Sequence, residues 1–264
     1  MKTLTFIWHD CFVYNDENSI IVFDYWRDPV SDNQSLPRFI ATADKDKHLY
    51  VVISHHHKDH YNTCVFEWEK YFRNTTYIIS KDIKKYSRFI FSETSVFSGY
   101  KPDIKNVVAL GRGESYEDSR VKIEAYGSTD IGNSYALEVN GVTLFHAGDL
   151  NAWLWKDEST PAEIKGALDG FERVITDIAE KHSAFDIVMF PVDSRIGTDY
   201  FEGASIFVRK FDVRHFFPMH FCLGETEEER DKYIRDATAI ENYANPERGE
   251  YICLTSPFSK FAFP

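Results

Sequence analysis

The first 26 residues contain three short runs in which apolar side chains dominate or alternate with polar ones. The runs read LTFIWHD, CFVYND and SIIVFDYW, and turn-forming residues separate them. Side chains that alternate between two faces are typical of strands. The pattern therefore predicts three strands, and DENS at 16–19 has the composition of a hairpin turn.

The middle of the chain predicts helices and strands in alternation. We expect a helix over 35–46, the buried-type strand HLYVVIS, a helix over 64–74, the strand TTYIIS and a helix over 81–90. From 104 to 147 the pattern returns to strands, which read KNVVAL, SRVKIEAYG and NSYALEVNGVTLFHAG. Asn140 and Gly141 lie between two alternating runs, which is a strong indication of a hairpin.

The last third of the chain predicts longer helices between buried strands. The expected elements are a helix over 161–182, the strand DIVMFPVD, a helix over 203–210, the strand RHFFPMHF and a helix over 225–243. Thr160 and Pro161 suit the N-cap and first position of the first of these helices. Because β-rich halves are each followed by helices, we expect an α/β class of sheets covered by helices. No repeat or linker divides the chain, which predicts one domain over 1–264.

Composition and charge narrow the class of protein. Hydrophobic residues make up 43% of the 264 residues and aromatic residues 16%, which is enough for a large core. The net charge of −12 argues against a nucleic-acid partner, which normally requires a basic surface. No apolar run approaches the roughly 20 residues of a membrane helix, and the N-terminal residues lack signal-peptide features. Four scattered cysteines without a CxxC pair indicate a reducing, cytoplasmic location.

The stretch VVISHHHKDHYN at 51–62 carries the strongest chemical signal. His55, His57, Asp59 and His60 form an HxHxDH pattern directly after a buried-type strand. Residues two apart on an extended segment point the same way, so His55 and His57 are expected to share one metal. Asp59 and His60 are expected to face a neighbouring metal, because imidazole and carboxylate suit zinc, iron or manganese. The alternative is a solvated histidine-rich loop, which this spacing disfavours.

Two later segments offer further donors at strand ends. LFHAGDLN places Asp149 after a strand and a glycine, where the two carboxylate oxygens are able to bridge two metals. FFPMHF places His220 at the end of another apolar strand. Each segment alone is weak, since a strand-end Asp or His is often only part of a capped turn. Their order after HxHxDH is much more specific.

That order resembles the metallo-β-lactamase-fold superfamily over nearly the whole chain. The resemblance rests on SHHHKDH, FHAGD and PMHF, while WHDCFVY and SIIVFDYW are most similar to the branch of ascorbate-6-phosphate lactonase-like proteins. It implies a four-layer αββα sandwich with a dinuclear site. It also implies the following ligands: His55 and His57 for the first metal, Asp59, His60 and His220 for the second, and Asp149 as the bridge.

The sequence departs from the family at one expected ligand. The family usually has a further histidine between the HxHxDH segment and the GD aspartate, but EAYGSTDIGNSYAL at 124–137 contains none. Asp130 is the obvious substitute, and Ser128 and Thr129 are weaker neutral donors. A carboxylate there tilts the site from zinc towards manganese or iron. The alternative is that Asp130 only caps a turn, and the first metal is then weakly bound or absent.

Residues around these ligands are candidates for supporting roles. Asp24 is expected to accept the second N–H of a ligating histidine, or else to face water. His9 is a candidate from the first strand, although a lone His on an apolar strand is more often a core residue. Trp153 is a candidate for an aromatic wall around a small ligand, or an ordinary core residue. Arg195 is expected either to bind a substrate carboxylate or phosphate or to pair with Asp193.

These observations predict a small-molecule metallohydrolase with two divalent ions, zinc first and manganese or iron as alternatives. The ions make water reactive towards an ester, lactone, amide or phosphoester, and Asp59 orients the nucleophile or relays its proton. A nuclease or cyclic-nucleotide phosphodiesterase and a non-catalytic metal-binding protein are the alternatives. A small-molecule substrate is the expected partner, with no nucleic acid and no membrane, and the lactonase-like resemblance adds a homo-oligomer.

Overall fold

The computed structural model describes residues 1–29, 35–224, 226–247 and 249–263. These residues form two compact units, one of Met1–Gly111 with Thr255–Pro264 and the other of Arg112–Leu254. Each unit contains a seven-stranded sheet with parallel and antiparallel pairs. The single domain over 1–264 stays a prediction.

Seven strands form the sheet of the first unit. In chain order they are β1 (Lys2–Trp8), β2 (Cys11–Asn15), β3 (Ser19–Phe23), β4 (His48–Ile53), β5 (Thr75–Ser80), β6 (Val107–Leu110) and β14 (Lys260–Phe263). Their order across the sheet is β14-β1-β2-β3-β4-β5-β6. The structure confirms the six strands predicted here. The pattern did not predict β14, whose four residues pair antiparallel with β1.

Parallel pairing explains why the middle of this sheet is so apolar. β3, β4 and β5 pair in parallel, and β3 and β5 are buried along their whole length. Parallel strands need crossover connections, which usually cover both faces of the sheet. The crossovers contain α1 (Leu36–Thr42), α2 (Lys81–Tyr86) and α3 (Arg88–Phe91), together with 3-10 turns at Thr63–Lys70 and Ile104–Asn106.

The helices of the first unit are shorter than the sequence predicts. The helix expected over 35–46 ends at Thr42, because Ala43 is extended with ψ of 158°. The helix expected over 64–74 is a 3-10 helix that ends at Lys70. The helix expected over 81–90 breaks at Ser87, whose hydroxyl accepts a hydrogen bond from Tyr61. At Ser87 this contact with a residue distant in the chain outweighs a modest helix propensity.

Seven further strands form the sheet of the second unit. In chain order they are β7 (Ser115–Glu117), β8 (Val121–Tyr126), β9 (Ser134–Val139), β10 (Val142–His146), β11 (Ala184–Pro191), β12 (Asp212–Met219) and β13 (Glu250–Tyr251). Their order across the sheet is β13-β12-β11-β10-β9-β8-β7. The predicted strands are confirmed, while β7 and β13 are edge strands of three and two residues that the pattern did not reveal.

The hairpin predicted at residues 140–141 joins β9 to β10. Val139 pairs with Val142, and Asn140 and Gly141 have φ of 49° and 73°. Two positive φ values identify a turn of the kind whose twist matches antiparallel strands, and Asn-Gly suits it. The hairpin therefore confirms the prediction from sequence.

Among the described residues, four α-helices accompany the second sheet. They are α4 (Pro161–Ala179), α5 (Glu202–Lys210), α6 (Glu227–Ala239) and α7 (Glu241–Ala244). Thr160 caps α4 as predicted, in a capping box with Glu163. A single helix was expected over 225–243, but α6 ends at Ala239 and α7 follows a break at Ile240. Glu225, at the start of that predicted helix, lies outside the described residues.

One face of α4 explains its place on the second sheet. Phe171, Val174, Ile175 and Ile178 are its buried residues, and the helix contacts β8. Their spacing of three and four residues puts them on one apolar face. In the described parts of the chain, no helix is both long and apolar enough to cross a bilayer.

Candidate metal centre

The topology of the first sheet gathers three strand ends at one edge. β1 and β3 are each antiparallel to β2, and β3 is parallel to β4, so β1, β3 and β4 run in the same direction. Residues that follow parallel strands emerge at the same edge of a sheet, where binding sites commonly form. This edge carries the following predicted site residues: His9, Asp24, His55, His57, Asp59 and His60.

Asp24 holds two of the predicted metal ligands in position. One carboxylate oxygen accepts the backbone N–H of Ser54 at 2.7 Å, and the other accepts the Ser54 hydroxyl and lies 2.8 Å from Nδ1 of His60. Ser54 Oγ in turn lies 2.9 Å from Nδ1 of His55. These four side chains are at most 1% exposed. The prediction that Asp24 supports a ligating histidine matches these contacts.

The contacts of Asp24 also decide which imidazole nitrogen carries the proton. An ionised carboxylate only accepts hydrogen bonds, so Nδ1 of His60 is the donor and Nε2 keeps its lone pair. The Ser54 hydroxyl donates to Asp24, and its oxygen is then the acceptor for Nδ1 of His55. Both histidines are therefore in the tautomer that a metal requires at Nε2.

His57 lies beside these two histidines, whereas His56 points elsewhere. The ring centroid of His55 is 4.6 Å from that of His57 and 4.1 Å from that of His60. Nδ1 of His56 is 2.8 Å from the Asp82 carboxylate, and its ring stacks on Tyr86. The His56 ring therefore contacts Asp82 and Tyr86, and its centroid is 5.3 Å from that of His57.

Asp10 is a residue of this cluster that the sequence reasoning missed. Its carboxylate is fully buried and lies 3.1 Å from Nε2 of His9 and 3.5 Å from Nε2 of His60. Nε2 of His9 is also 3.7 Å from the carboxylate of Asp59. The only signal in the sequence is that Asp10 follows His9 at the end of a strand. A lone-pair nitrogen and a carboxylate oxygen this close together suit a shared cation.

The second sheet gathers its own strand ends in the same way. β10, β11 and β12 are neighbouring parallel strands, and they are followed by Asp149, Asp193 and His220. Nε2 of His220 is 3.2 Å from the Asp149 carboxylate, and Nδ1 is 2.9 Å from the Asp193 carboxylate. These three residues are at most 5% exposed. The structure therefore brings together the predicted ligands Asp149 and His220.

Asp193 holds Nδ1 of His220 in the same way that Asp24 holds Nδ1 of His60. Burial alone would raise the pKa of Asp193, but hydrogen bonds from His220 and Arg195 outweigh burial and hold that pKa well below its ordinary value. The carboxylate is thus ionised, it accepts from Nδ1, and it leaves the lone pair of His220 on Nε2. The sequence indicated Asp193 only as a candidate partner of Arg195.

Arg195 pairs with Asp193, which is one of the two roles considered from sequence. Its Nε is 2.9 Å and 3.0 Å from the two carboxylate oxygens, and its backbone N–H also donates to Asp193. A planar guanidinium suits such a two-oxygen contact. Arg195 therefore holds the Asp193 carboxylate in place, and this carboxylate in turn orients the His220 ring. Substrate binding by Arg195 stays a prediction.

Trp153 lies directly against this half of the site. Its indole N–H donates to the backbone oxygen of Asp149 at 2.8 Å, and its ring meets the His220 ring edge-on with centroids 5.4 Å apart. The side chain is half-buried, so part of the indole remains available to a ligand. This position fits the aromatic wall that the sequence predicts.

Asp130 differs from the other predicted ligands because it alone among them is exposed. Its backbone N–H donates to Ser128 Oγ at 3.2 Å, so Ser128 caps this turn. The neighbouring Thr129 hydroxyl donates to the backbone oxygen of Asn151 at 2.6 Å, which ties the turn to the loop of Asp149. A ligand role for Asp130 stays a prediction.

Backbone strain coincides with the candidate site residues. Among the described residues, eight that are not glycine have positive φ, and four of these are His9, Asp24, Trp153 and His220, at 60°, 40°, 46° and 68°. Such conformations cost about 1–3 kcal/mol each and persist only where the surroundings impose them. Functional sites are where this strain commonly gathers.

Taken unit by unit, the donors fit divalent metal ions. The imidazoles of His55, His60 and His220 are buried and have Nδ1 held by a hydroxyl or carboxylate. Nitrogen and oxygen donors of this kind suit zinc, manganese and iron. The two sheets and these donors thus define a metal-binding α/β protein.

The chain belongs to the family described as the Beta-lactamase superfamily domain, which matches residues 3–165. The resemblance predicted from the motifs is confirmed at this level. No curated protein matches the sequence.

Three solved structures share the fold at low sequence identity. Igni18, a metallo hydrolase from Ignicoccus hospitalis, is 15% identical with a TM-score of 0.61, and the match covers 100% of this chain and 99% of that one. CmlA, a diiron β-hydroxylase from Streptomyces venezuelae, is 12% identical with a TM-score of 0.64, over 99% of this chain and 54% of CmlA. YhfI, a metallo-β-lactamase fold protein from Bacillus subtilis, is 10% identical with a TM-score of 0.58, over 98% of each chain. These likenesses confirm the predicted fold class.

Proposed function

We propose that this protein is a metal-dependent hydrolase that acts on a small-molecule ester, lactone or phosphoester. The observation that carries the proposal is the set of buried histidines whose Nδ1 atoms are held, leaving Nε2 of His55, His60 and His220 for metal. Family membership supports it, as does the shared fold with Igni18, a metallo hydrolase. The lactonase-like branch is our finer proposal, based on the motifs WHDCFVY and SIIVFDYW.

The proposed ligand set is the one carried over from the family. Its members are His55, His57, Asp59, His60, Asp130, Asp149 and His220. Two divalent ions in a site of this type supply a water of lowered pKa and polarise the oxygen of the attacked group. Zinc is our first choice of metal, with manganese or iron as alternatives because Asp130 stands where the family has a histidine.

The residues around the ligands have distinct tasks in this proposal. Asp24 and Asp193 keep the proton on Nδ1 of their histidines, so each Nε2 is ready to bind metal. Asp59 orients the attacking water or relays its proton, and its side chain is 24% exposed. Nε2 of His9 lies 3.7 Å from the Asp59 carboxylate, which is close enough for an electrostatic interaction but beyond direct hydrogen-bond distance.

Metal content and hydrolysis test this proposal together. We expect two equivalents of divalent metal by elemental analysis, and hydrolysis of one substrate class in a panel of lactones, 4-nitrophenyl esters and bis(4-nitrophenyl) phosphate. A chelator abolishes that turnover. His57→Ala lowers the rate at least 100-fold, in the range of losses from catalytic machinery. The matched control is His56→Ala, which removes a neighbouring imidazole bound to Asp82 instead.

Two outcomes would contradict the proposal. Turnover of His57→Ala at the wild-type rate excludes His57 from the site. Stoichiometric metal without turnover of any substrate favours the second candidate, a metal-binding protein without hydrolytic activity. The exposed carboxylate of Asp130 in place of a third histidine is the observation that favours this second candidate.

We also propose a reducing, cytoplasmic location. The structure describes all four cysteines, and none of them is part of a disulfide. Disulfides are rare in that compartment. Secretion of the native protein in an oxidised, disulfide-linked form would contradict this location.

A further inference from the structure

A cavity of about 460 Å³ lies in the second unit beside Trp153. Its polar lining comes from Arg112, Arg173, Ser128 and Thr129. The two guanidinium groups and the Ser128 hydroxyl are hydrogen-bond donors, the Thr129 hydroxyl donates to the backbone oxygen of Asn151, and no carboxylate is among the lining residues. In a protein with a net charge of −12, this is a local site for an anion.

The two arginines differ in how they are already engaged. Arg112 forms an ion pair with Asp177, in which both side chains are partly exposed. Arg173 makes no ion pair or hydrogen bond through its side chain with any residue that the structure describes. Its guanidinium is therefore the group that an incoming oxyanion would pair with, in the two-oxygen geometry that phosphate and carboxylate share.

Small residues on α4 leave the room for such a ligand. Gly166 and Gly170, four residues apart, line the cavity from one face of the helix. A Cβ built at Gly166 meets no atom within 4 Å, and one at Gly170 meets only Arg173, at 3.7 Å. Glycine is the poorest helix former after proline, so helix formation does not explain these two residues.

The cavity borders the candidate metal ligands of the same unit. Trp153 forms one wall, and this indole contacts the ring of His220 and the backbone of Asp149. Thr129 lines the cavity and is hydrogen-bonded to the loop that follows Asp149. A ligand with its anionic end in the cavity would therefore extend past Trp153 towards Asp149 and His220.

We propose that this cavity is the subsite for a phosphate or carboxylate group of the substrate, and that Arg173 is its main specificity-determining residue. The substrate class is thus an anionic ester or lactone rather than a neutral one. This inference rests on the proposed hydrolytic function for its role in catalysis. The binding of an oxyanion in the cavity is testable separately.

Binding of simple anions to the metal-loaded protein tests the subsite without any turnover. Inorganic phosphate and succinate are titrated by calorimetry into wild type, Arg173→Gln and Gly166→Leu. We expect both variants to weaken binding at least tenfold, because one removes the free guanidinium and the other fills the space. Lys165→Gln is the matched control, since it removes a cation of the same helix that is paired with Asp169 and outside the cavity. We expect that control to stay within twofold of wild type.

Gly166→Leu replaces glycine by a better helix former, so its melting temperature is expected to be equal or higher. If that variant fails to fold, Arg173→Gln decides alone. If Arg173→Gln binds phosphate and succinate with the same affinities as wild type, the subsite is overturned, because the anions then bind elsewhere. The stronger of the two wild-type ligands identifies the anionic group as phosphate or carboxylate.

Turnover gives the second arm of the test. Mono-4-nitrophenyl succinate and 4-nitrophenyl acetate differ by one carboxylate, and we expect the first to have at least a tenfold higher kcat/KM. Arg173→Gln is expected to remove this preference, whereas Lys165→Gln is expected to keep both the preference and the rate on the acetate. Equal preference in wild type and Arg173→Gln would overturn the assignment of Arg173. If neither ester is hydrolysed, the hydrolytic proposal fails for carboxylate esters of this type, and the calorimetry still decides whether the cavity binds anions.

Discussion

Replacing Asp24 by Asn tests whether the hydrogen bonds that Asp24 accepts prepare the histidines for metal. The two side chains have nearly the same shape, but an amide has one acceptor oxygen and one donor nitrogen. With the oxygen facing the backbone N–H of Ser54, the NH₂ group faces Nδ1 of His60, which is 2.8 Å from the present carboxylate oxygen. His60 then accepts that hydrogen bond, and its proton moves to Nε2. In the reverse orientation of the introduced amide, its NH₂ group faces the backbone N–H of Ser54, and two donors cannot form a hydrogen bond.

The contacts of Asp24 set the size of the expected effect. Loss of a hydrogen-bond partner of a metal-ligating histidine usually lowers metal affinity 10- to 100-fold, which corresponds to about 1.4–2.7 kcal/mol. The metal-free protein also loses hydrogen bonds to a charged group, each of which contributes about 1.5–3 kcal/mol. The lower desolvation cost of a buried neutral amide offsets part of that loss. We therefore expect a moderate fall in stability and a larger relative fall in metal affinity.

Asp16→Asn is the matched control for this experiment. Asp16 is also a buried carboxylate of the first unit, 2% exposed, and it accepts the backbone N–H groups of Asn18 and Ser19 at 2.8 Å and 2.7 Å. Its replacement is expected to lower stability without changing metal affinity. Zinc affinity is measured by competition with a fluorescent chelator, and the stability of the metal-free protein by circular dichroism. Wild-type zinc affinity in Asp24→Asn, or an equal loss in both variants, would refute the reasoning.

Two further predictions concern stability alone. Thr160→Ala removes the N-cap of α4 and is expected to cost about 1 kcal/mol, a fall of about 2–4 °C in Tm that calorimetry measures; an unchanged Tm would contradict the capping role. For Glu124, burial raises the pKa, but the hydrogen bond and charge of Lys181 and the charge of Lys122 outweigh it and leave the pKa below its ordinary 4.5. A carboxylate whose pKa is lowered by folding stabilises the folded state above pH 4.5. This stabilisation is lost as the pH falls through the pKa of the folded state. Urea unfolding of Glu124→Gln is therefore expected to depend less on pH below 4.5 than that of wild type, and identical profiles would exclude this effect.

Most of the fold could be predicted because its strands are long apolar or alternating runs. The buried strand β4 and the Asn140–Gly141 hairpin are examples in which local pattern and tertiary structure agree. The pattern failed for β7 and β13, since edge strands of three and two residues are too short to show a period, and it also missed β14. It also failed at Ser87, where contacts with distant residues end the helix.

The candidate site was only partly predictable from sequence. Histidines at fixed spacing after a strand are a local signal, so His55, His57 and His60 were found directly. Asp10 was missed, because its burial and its 3.5 Å distance to His60 exist only in the folded chain. Positive φ values at His9 and His220 were equally invisible, since residues other than glycine adopt that conformation in only a few per cent of cases.

Sheet topology nevertheless gives a rule that connects the two supporting carboxylates. Asp24 follows β3 and supports His60, which follows the adjacent parallel strand β4; Asp193 follows β11 and supports His220, which follows the adjacent parallel strand β12. Neighbouring strands are about 4.8 Å apart, so a carboxylate at the end of one strand is able to reach a histidine in the segment that follows the next strand. The partners are 36 and 27 residues apart in the chain, which hides them from any local pattern. Once strand order is known, the carboxylate at the end of the adjacent parallel strand is therefore the first place to look for the residue that sets a ligand's tautomer.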